Sequence, residues 1–221
     1  MTTPKPKTVG IIGAGHIGSQ LARLFIAHGY SVVISNSRGP ETLTDLVAEL
    51  GALARAATAR DVAILGDLVV VSTPLAAVQT LPAEELAGKI VIDTDNYDPR
   101  RDGHIPELDD ETTTVSERLQ VFLPSAHVVK AFNHIYAAAL TTDTLPAGSE
   151  NRRALAVAGN EASARATVKR LIDELGFDVV DLGPLAEGWR IQRATPGFGP
   201  RMDVFELREA VSTAIRYRDM D

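Results

Sequence analysis

The sequence of 221 residues contains no cysteine, which excludes disulfides, thiolate nucleophiles and cysteine-based metal sites. Aromatic residues make up only 5% of the chain, so stacking platforms for single-stranded nucleic acid are not expected. Positive charge is also scarce, because 22 Lys and Arg stand against 29 Asp and Glu, which gives a net charge of −7. Such a chain has no general attraction to nucleic acid or to anionic lipid, and we expect neither as a partner.

Long apolar segments are missing as well. No run approaches about 18 apolar residues, so we predict no membrane span. Residues 1–7 carry lysines and prolines but no apolar stretch of a signal peptide, which makes the cytoplasm the expected location. The 45% of hydrophobic and 23% of charged residues are typical of a globular chain with one main domain and a small appendage.

Short apolar runs alternate with amphipathic helical patterns along most of the chain. The runs predict strands at residues 8–12, 31–35, 53–55, 68–72, 89–93, 128–131, 154–158 and 177–181. Strands that are apolar on both faces and alternate with helices favour a Rossmann-type, doubly wound, mainly parallel α/β sheet. We assign residues 1–183 to this domain and residues 184–221 to a C-terminal tail that ends in a helix at 204–216.

A glycine-rich turn lies between the first strand and the first helix. Its spacing, Gly13-x-Gly15-x-x-Gly18, in a strand–turn–helix–strand unit is typical of dinucleotide binding. Gly13 would allow the tight turn, Gly15 the approach of a pyrophosphate, and Gly18 the close packing of the helix. His16 and Ile17 fall in the same turn and are expected at the phosphates. The alternative is a glycine-rich turn that binds nothing.

The end of the second strand indicates which nucleotide is preferred. An NAD site usually has Asp or Glu about 20 residues after the first glycine, where it binds the ribose 2′-hydroxyl. This chain has Ser35, Asn36, Ser37 and Arg38 there, and the first carboxylate is Glu41. Hydroxyl groups and a guanidinium suit a 2′-phosphate, so the sequence predicts NADP(H) as the cofactor.

Polar residues gather at the predicted carboxyl ends of the strands, where open parallel sheets bind ligands. The candidates in this group are Thr73, Pro74, Asn96, Lys130, Asn133 and His134. Lys130 is interpreted as a proton donor, as an anion clamp, or as a lysine whose stem is buried at a strand end. We find no nucleophile–base triad and no spacing of His, Asp and Glu that suggests a metal.

Four segments together make the chain resemble the NADPH-dependent coenzyme F420 reductase family, also described as F420-dependent NADP oxidoreductases. They are residues 9–18, 35–41, 95–103 and 128–135, and the resemblance extends over about residues 8–185. It implies hydride transfer between NADP(H) and a deazaflavin, with coenzyme F420 as the co-substrate.

The same resemblance assigns roles to individual residues. It implies that the Gly13–Gly18 turn holds NADP, with Ser37 and Arg38 at the 2′-phosphate. It further places the nicotinamide near residues 73–74 and Asn96, and the deazaflavin beside residues 133–134. Positioning is then most of the catalysis, because the hydride moves between two stacked rings.

The segment 96–111 and the tail depart from the family pattern and leave the second substrate open. The aromatic residues of the tail could form a wall for a planar substrate, but we expect them to pack in the core; they are Trp189, Phe198 and Phe205. The last helix carries an apolar stripe, from which we predict a homodimer; the stripe is Val204, Leu207, Val211 and Ile215.

Two other functions fit the same residues. One is an NADPH-dependent reductase of an imine, flavin or quinone, with Lys130 or His134 as proton donor. The other belongs to a different class, a non-catalytic protein that senses NADP(H) and signals to a partner protein. The polar residues at the second site are too general in type to separate these functions from hydride transfer to a deazaflavin.

Overall fold

Eight strands form one sheet within residues 8–216, the part of the chain that this computed structural model describes. The strands are β1 Thr8–Ile12, β2 Ser31–Ser35, β3 Ala54–Ala56, β4 Leu68–Val71, β5 Ile90–Asp93, β6 His127–Lys130, β7 Ala154–Gly159 and β8 Asp178–Asp181. Their order across the sheet is β3-β2-β1-β4-β5-β6-β7-β8. Strands β1 to β6 run parallel, which confirms the predicted Rossmann-type fold.

Helices cover both faces of the sheet. They are α1 His16–Ala27, α2 Thr44–Leu50, α3 Ala59–Leu65, α4 Pro99–Asp102, α5 Pro106–Asp109, α6 Val115–Phe122, α7 Ala139–Thr142, α8 Ala162–Glu174 and α9 Val204–Ser212. Three 3-10 segments, Pro40–Leu43, Leu75–Thr80 and Leu185–Ile191, complete the described elements. No helix within residues 8–216 combines the length and the apolar character needed to cross a membrane.

Strand β4 shows why the strands had to be apolar throughout. Leu68 and Val70 belong to the core on one face, which α1 and α8 cover, whereas Val69 and Val71 belong to the core on the other, under α3 and α6. Because side chains alternate between the faces of a strand, a sheet covered on both sides buries every position. All four residues of β4 are buried accordingly.

The chain reverses direction between β6 and β7. Strand β7 is antiparallel to β6 and pairs with it only at Val129–Gly159 and Lys130–Ala158, and β8 then runs parallel to β7. Beyond this short pairing, the Ala156 N–H donates 3.0 Å to Nε2 of His134. The side chain of His134 thus satisfies a buried backbone group that β6 does not reach.

Helix α6 and the last helix are among the segments that differ from the elements that the sequence predicts. Helix α6 was not predicted, since only Leu119 and Ser116 of its eight residues are buried and the apolar pattern is weak. Its N-terminus is fixed instead by a capping box between Thr114 and Glu117.

The last helix, α9, ends at Ser212, four residues before the predicted end. Its apolar stripe packs on the chain's own sheet, because Leu207 and Val211 share a buried cluster with Ala156 and Ile191. Only Ile215, beyond the helix, is largely exposed, at 54%. Most of the stripe is therefore buried within the chain itself, and the homodimer stays a prediction.

Phe25 provides a test of the core under α1. Its side chain is fully buried and meets the ring of Tyr30 edge to face, with the ring centres 5.6 Å apart. We expect Phe25→Ala to lower the free energy of unfolding by about 3–5 kcal/mol, measured by urea denaturation. The matched control is Phe205→Ala, because Phe205 is 74% exposed. The control should change stability by less than about 0.5 kcal/mol, and equal losses in both variants would contradict this packing.

Candidate active site

The glycine turn is packed so tightly that two of its positions exclude a side chain. Gly13 has φ +111°, and a Cβ there would lie 2.0 Å from the carbonyl oxygen of Ser72 at the end of β4. A Cβ at Gly18 would lie 1.8 Å from the carbonyl oxygen of Gly13. The Gly13 N–H also donates 3.0 Å to the carbonyl of Ser35. The turn thus joins the ends of β1, β2 and β4.

Gly15 differs from its two neighbours in the motif. A Cβ at Gly15 would meet no atom of residues 8–216 within 4 Å, so the turn opens outward at this position. Gly15 is the N-cap of α1, and it offers no side chain to the free N–H groups of the first turn. That turn also carries no acidic residue. An open helix N-terminus with a positive dipole end is suited to a pyrophosphate.

The loop after β2 is held from within and presents Arg38 to solvent. Oδ1 of Asn36 accepts 3.0 Å from the Arg38 N–H, and Nδ2 of Asn36 donates 2.8 Å to the Thr42 hydroxyl. Ser37 and Arg38 are exposed. The guanidinium of Arg38 has no hydrogen bond or ion pair among the described residues, so it is available to a phosphate.

Two hydroxyls beside the turn are buried without a hydrogen-bond partner in residues 8–216. They belong to Ser35, the last residue of β2, and Thr73, which follows β4. A Cβ at Gly13 would lie 3.3 Å from the methyl group of Thr73, so this residue adjoins the turn. Buried hydroxyls are nearly always hydrogen-bonded, and a dinucleotide in this cradle would supply partners. The residues present therefore fit a dinucleotide.

A cavity of about 320 Å³ lies at the carboxyl ends of β5 and β6. Residues 95–97 and Lys130 form its base, and its walls are formed by Pro99, Gly188, residues 108–109, Glu111, residues 113–116 and residues 192–194. The tail meets the segment after β5 here, since Gln192 Nε2 donates 2.5 Å to Glu111 Oε1. Parallel sheets of this kind bind ligands at this edge, so the cavity is the candidate site for a second substrate.

Lys130 is fixed at the base of the cavity. Its side chain is 5% exposed, and Nζ lies 3.2 Å from Oδ2 of Asp93 and donates to the backbone carbonyl of Asp95. Asp93 also accepts 2.5 Å from the Ser116 hydroxyl and 2.9 Å from the Asp95 N–H. Lys130 is thus a buried partner of Asp93 rather than a lysine that extends to solvent.

Asp95 lines the cavity, and the sequence reasoning missed it. Burial raises the pKa of its carboxyl well above the usual value, and the nearby Asp93 adds to the rise. Lys130, the Thr73 N–H and Arg101 oppose the shift. A signal was present in the sequence, because Asp93 and Asp95 lie together at the end of a buried strand. One nearby cation, Lys130, cannot neutralise two carboxylates, so one of the two acids is expected to have a raised pKa.

Asn96, Asn133 and His134 connect elements around the cavity. Asn133 Nδ2 donates 3.0 Å to Asn96 Oδ1 and 2.7 Å to the carbonyl of Ile191, and Asn96 Nδ2 donates 2.7 Å to the carbonyl of Asn133. These bonds join the loops after β5 and β6 to the tail. Of the three, Asn96 lines the cavity and the other two lie behind its wall.

His134 is poorly suited to proton donation. Burial lowers the pKa of its imidazole to about 3, with Arg153 and Lys130 adding to the shift, so the ring is neutral near pH 7. Its Nε2 already accepts the Ala156 N–H. The geometry favours a positioning role for this residue.

The remaining candidates surround the nucleotide cradle. His16 is exposed in the first turn of α1, and Ile17 is partly buried and packs against the core. Pro74 is exposed and precedes the 3-10 segment that leads away from β4. Within the described residues, no group of three His, Asp or Glu side chains is placed to hold a metal ion.

The tail contributes walls and packing rather than an aromatic surface. Trp189 is 7% exposed, and the guanidinium groups of Arg190 and Arg216 stack over its ring, 4.4 and 4.9 Å from the ring centre. Phe198 and Phe205 do not line the cavity. The tail reaches the cavity through Gly188 and residues 192–194 instead.

Comparisons with known proteins agree with a dinucleotide-binding Rossmann oxidoreductase. The sequence profile of the family described as "NADP oxidoreductase coenzyme F420-dependent" matches residues 8–97. The structure of the hypothetical protein SMa0349 from Sinorhizobium meliloti is 34% identical, with a TM-score of 0.73 over 92% of this chain and 94% of that one. A proposed F420-dependent NADP reductase from Arthrobacter sp. is 31% identical, with a TM-score of 0.69 over 81% and 85% of the two chains. This chain belongs to the F420-dependent NADP oxidoreductase family.

A longer relative shares only part of its length with this chain. Rat metalloreductase STEAP3 is 28% identical over 184 residues, which are 83% of this chain and 35% of that protein. The chain thus spans about a third of the length of this curated relative.

The three glycines of the turn allow a matched test. We expect Gly15→Ala to fold with unchanged thermal stability, because the added methyl group enters open space. NADPH binding should weaken about tenfold or more, since the methyl group occupies the approach of the pyrophosphate. Gly18→Ala should instead lower stability by about 1–3 kcal/mol, because its Cβ meets the Gly13 carbonyl. Thermal unfolding and NADPH fluorescence titration measure both effects, and wild-type binding by Gly15→Ala would contradict the proposed phosphate site.

Proposed function

We propose that this chain transfers a hydride between NADP(H) and the deazaflavin coenzyme F420. The observation that carries the proposal is that Thr73 lies beside both sites. The Thr73 methyl group adjoins Gly13 of the nucleotide cradle, and the Thr73 N–H is directed at the carboxyl group of Asp95 at the base of the cavity. Hydride transfer requires two substrates side by side, and this arrangement supplies a place for each.

On the nucleotide side, each group of residues has a distinct task. The turn from Gly13 to Gly18, including His16 and Ile17, would bind the pyrophosphate. The loop after β2 would bind the 2′-phosphate through Arg38 and Ser37, with Ser35 and Asn36 supporting it. Thr73, Pro74 and Asn96 would flank the nicotinamide.

On the acceptor side, there is room for an extended planar molecule. A second cavity of about 290 Å³ adjoins the first and shares Leu108 and Val115 with it. Leu75 and Phe122 contribute apolar surface to this second cavity. The family of the chain and the proposed activity of the Arthrobacter relative favour a deazaflavin as the occupant.

The direct test is oxidation of NADPH by the purified protein in the presence of oxidised coenzyme F420. We expect rapid loss of nicotinamide absorbance with NADPH and slow loss with NADH. NADPH binding without turnover of F420 would contradict the proposal. Flavins, imines and quinones would then be tested as acceptors, and a lack of turnover with all of them would favour the NADP(H)-sensing role.

Arg38 should determine the preference for NADPH over NADH. We expect Arg38→Ala to weaken NADPH binding about tenfold to a hundredfold, because a hydrogen bond to a charged group contributes about 1.5–3 kcal/mol. NADH binding should not change, since NADH lacks the 2′-phosphate. Arg208→Ala is the matched control, because Arg208 is equally exposed but lies on α9. Equal, small losses of affinity for both nucleotides would contradict the role of Arg38.

A further inference from the structure

We propose that the carboxyl group of Asp95 is the acid that gives a proton to the second substrate as this substrate accepts the hydride. The inference rests on the proposed function, because it concerns the acceptor side of the same reaction. It adds a catalytic residue that was not among the candidates from the sequence.

The position of Asp95 supports its role as the acid. Asp95 lines the base of the acceptor cavity, two residues after the end of β5. The N–H of Thr73, beside the glycine turn, is directed at its carboxyl group. Asp95 therefore lies between the nucleotide cradle and the cavity, where hydride and proton would reach one acceptor.

The charged groups around Asp95 also support this role. Asp93 from β5, Lys130 from β6 and Arg101 from α4 are the charged groups that act on Asp95. Lys130 is already in an ion pair with Asp93, and Arg101 forms an ion pair with Asp102 at 2.8 Å. Burial disfavours the charged carboxylate and the nearby Asp93 adds to this effect, so the pKa of Asp95 is raised in the direction that favours its protonated form.

The other polar groups at the cavity are engaged elsewhere. Lys130 is bonded to Asp93 and to the Asp95 backbone. The Tyr97 hydroxyl lies 2.5 Å from Asp109 and 3.0 Å from the carbonyl of Gly103. Glu111 accepts a hydrogen bond from Gln192 of the tail. Among the described residues that line the cavity, Asp95 is the acid best placed to lose a proton to a ligand.

The reaction balances with this single acid. A hydride, with its two electrons, passes from the reduced nicotinamide to a carbon of the acceptor, and NADP⁺ remains. The O–H bond of the Asp95 carboxyl breaks, and an N–H bond forms on the acceptor ring. The resulting carboxylate takes a proton from solvent before the next turnover. In the opposite direction, the Asp95 carboxylate accepts the proton as the reduced acceptor loses its hydride.

Asp95→Asn keeps the shape of the side chain and removes its acidic proton. In the direction of NADPH oxidation, we expect kcat to fall about a hundredfold to ten-thousandfold, with the KM for NADPH unchanged. Wild-type kcat should decrease as the pH rises through the pKa of Asp95, because the acid must be protonated. This alkaline decrease should be absent from the variant, and the reverse reaction of the wild type should show the opposite slope.

The matched control is Asp110→Asn, because Asp110 is an exposed acid of the same segment and does not line the cavity. It should retain both the rate and the pH profile. A structural role for Asp95 predicts a lower rate with the wild-type pH profile, so a retained alkaline decrease in Asp95→Asn would overturn the proposal.

A second measurement does not depend on turnover. Infrared difference spectra of wild type against Asp95→Asn at neutral pH should contain the carbonyl band of a protonated carboxyl group, which shifts in deuterated water. If wild type shows this band but does not turn over F420, the proposed function fails and the protonated acid is retained for another acceptor. Absence of the band overturns the role of Asp95 whichever acceptor is used.

Discussion

The buried ion pair between Asp93 and Lys130 is the interaction on which the cavity at the ends of β5 and β6 depends. The two residues are paired in register on neighbouring strands, β5 and β6, and both are buried. Asp93 also binds the hydroxyl of Ser116 at the start of α6, and Lys130 holds the backbone of Asp95. Removal of one partner from such a pair costs about 3–5 kcal/mol, so the pair fixes the base of the cavity. Because Lys130 is paired with Asp93, the carboxyl group of Asp95 has no ion pair of its own within residues 8–216.

The glycine turn restricts the backbone on the nucleotide side, as the buried ion pair does at the cavity. Gly13 and Gly18 are in such close contact with backbone atoms that the ends of β1, β2 and β4 have little freedom to separate. Thr73 lies in the loop after β4, and its N–H is directed at the carboxyl group of Asp95. The tight turn and the buried ion pair are therefore linked through Thr73 and Asp95, which places the candidate nucleotide cradle beside the cavity.

The sequence was sufficient for features that depend on neighbours along the chain, and less so for features that depend on distant ones. The turn at Gly13 and the apolar strands are local patterns, and the predicted sheet and family are both confirmed. The importance of Asp95 depends on Lys130, 35 residues away, and no spacing rule connects them. The reversal at β7 was missed for a similar reason, because an apolar run does not encode the direction in which it pairs. The role of Arg38 stays a prediction, and it could be made from the sequence because a position just after the second strand has a defined meaning in this fold.

The tail is held by contacts of different kinds, and residues 192–194 of the tail form one wall of the cavity. Its first part is fixed to the core, since Asn133 donates to the Ile191 carbonyl and Trp189 is buried. Further along, Arg193 is 45% exposed and lies 3.4 Å from Asp98, and partly exposed pairs of this kind contribute little to stability. The wall formed by residues 192–194 is held by this partly exposed pair and by the hydrogen bond from Gln192 to Glu111. The base of the cavity rests instead on a buried ion pair, which salt screens less than it screens a partly exposed pair.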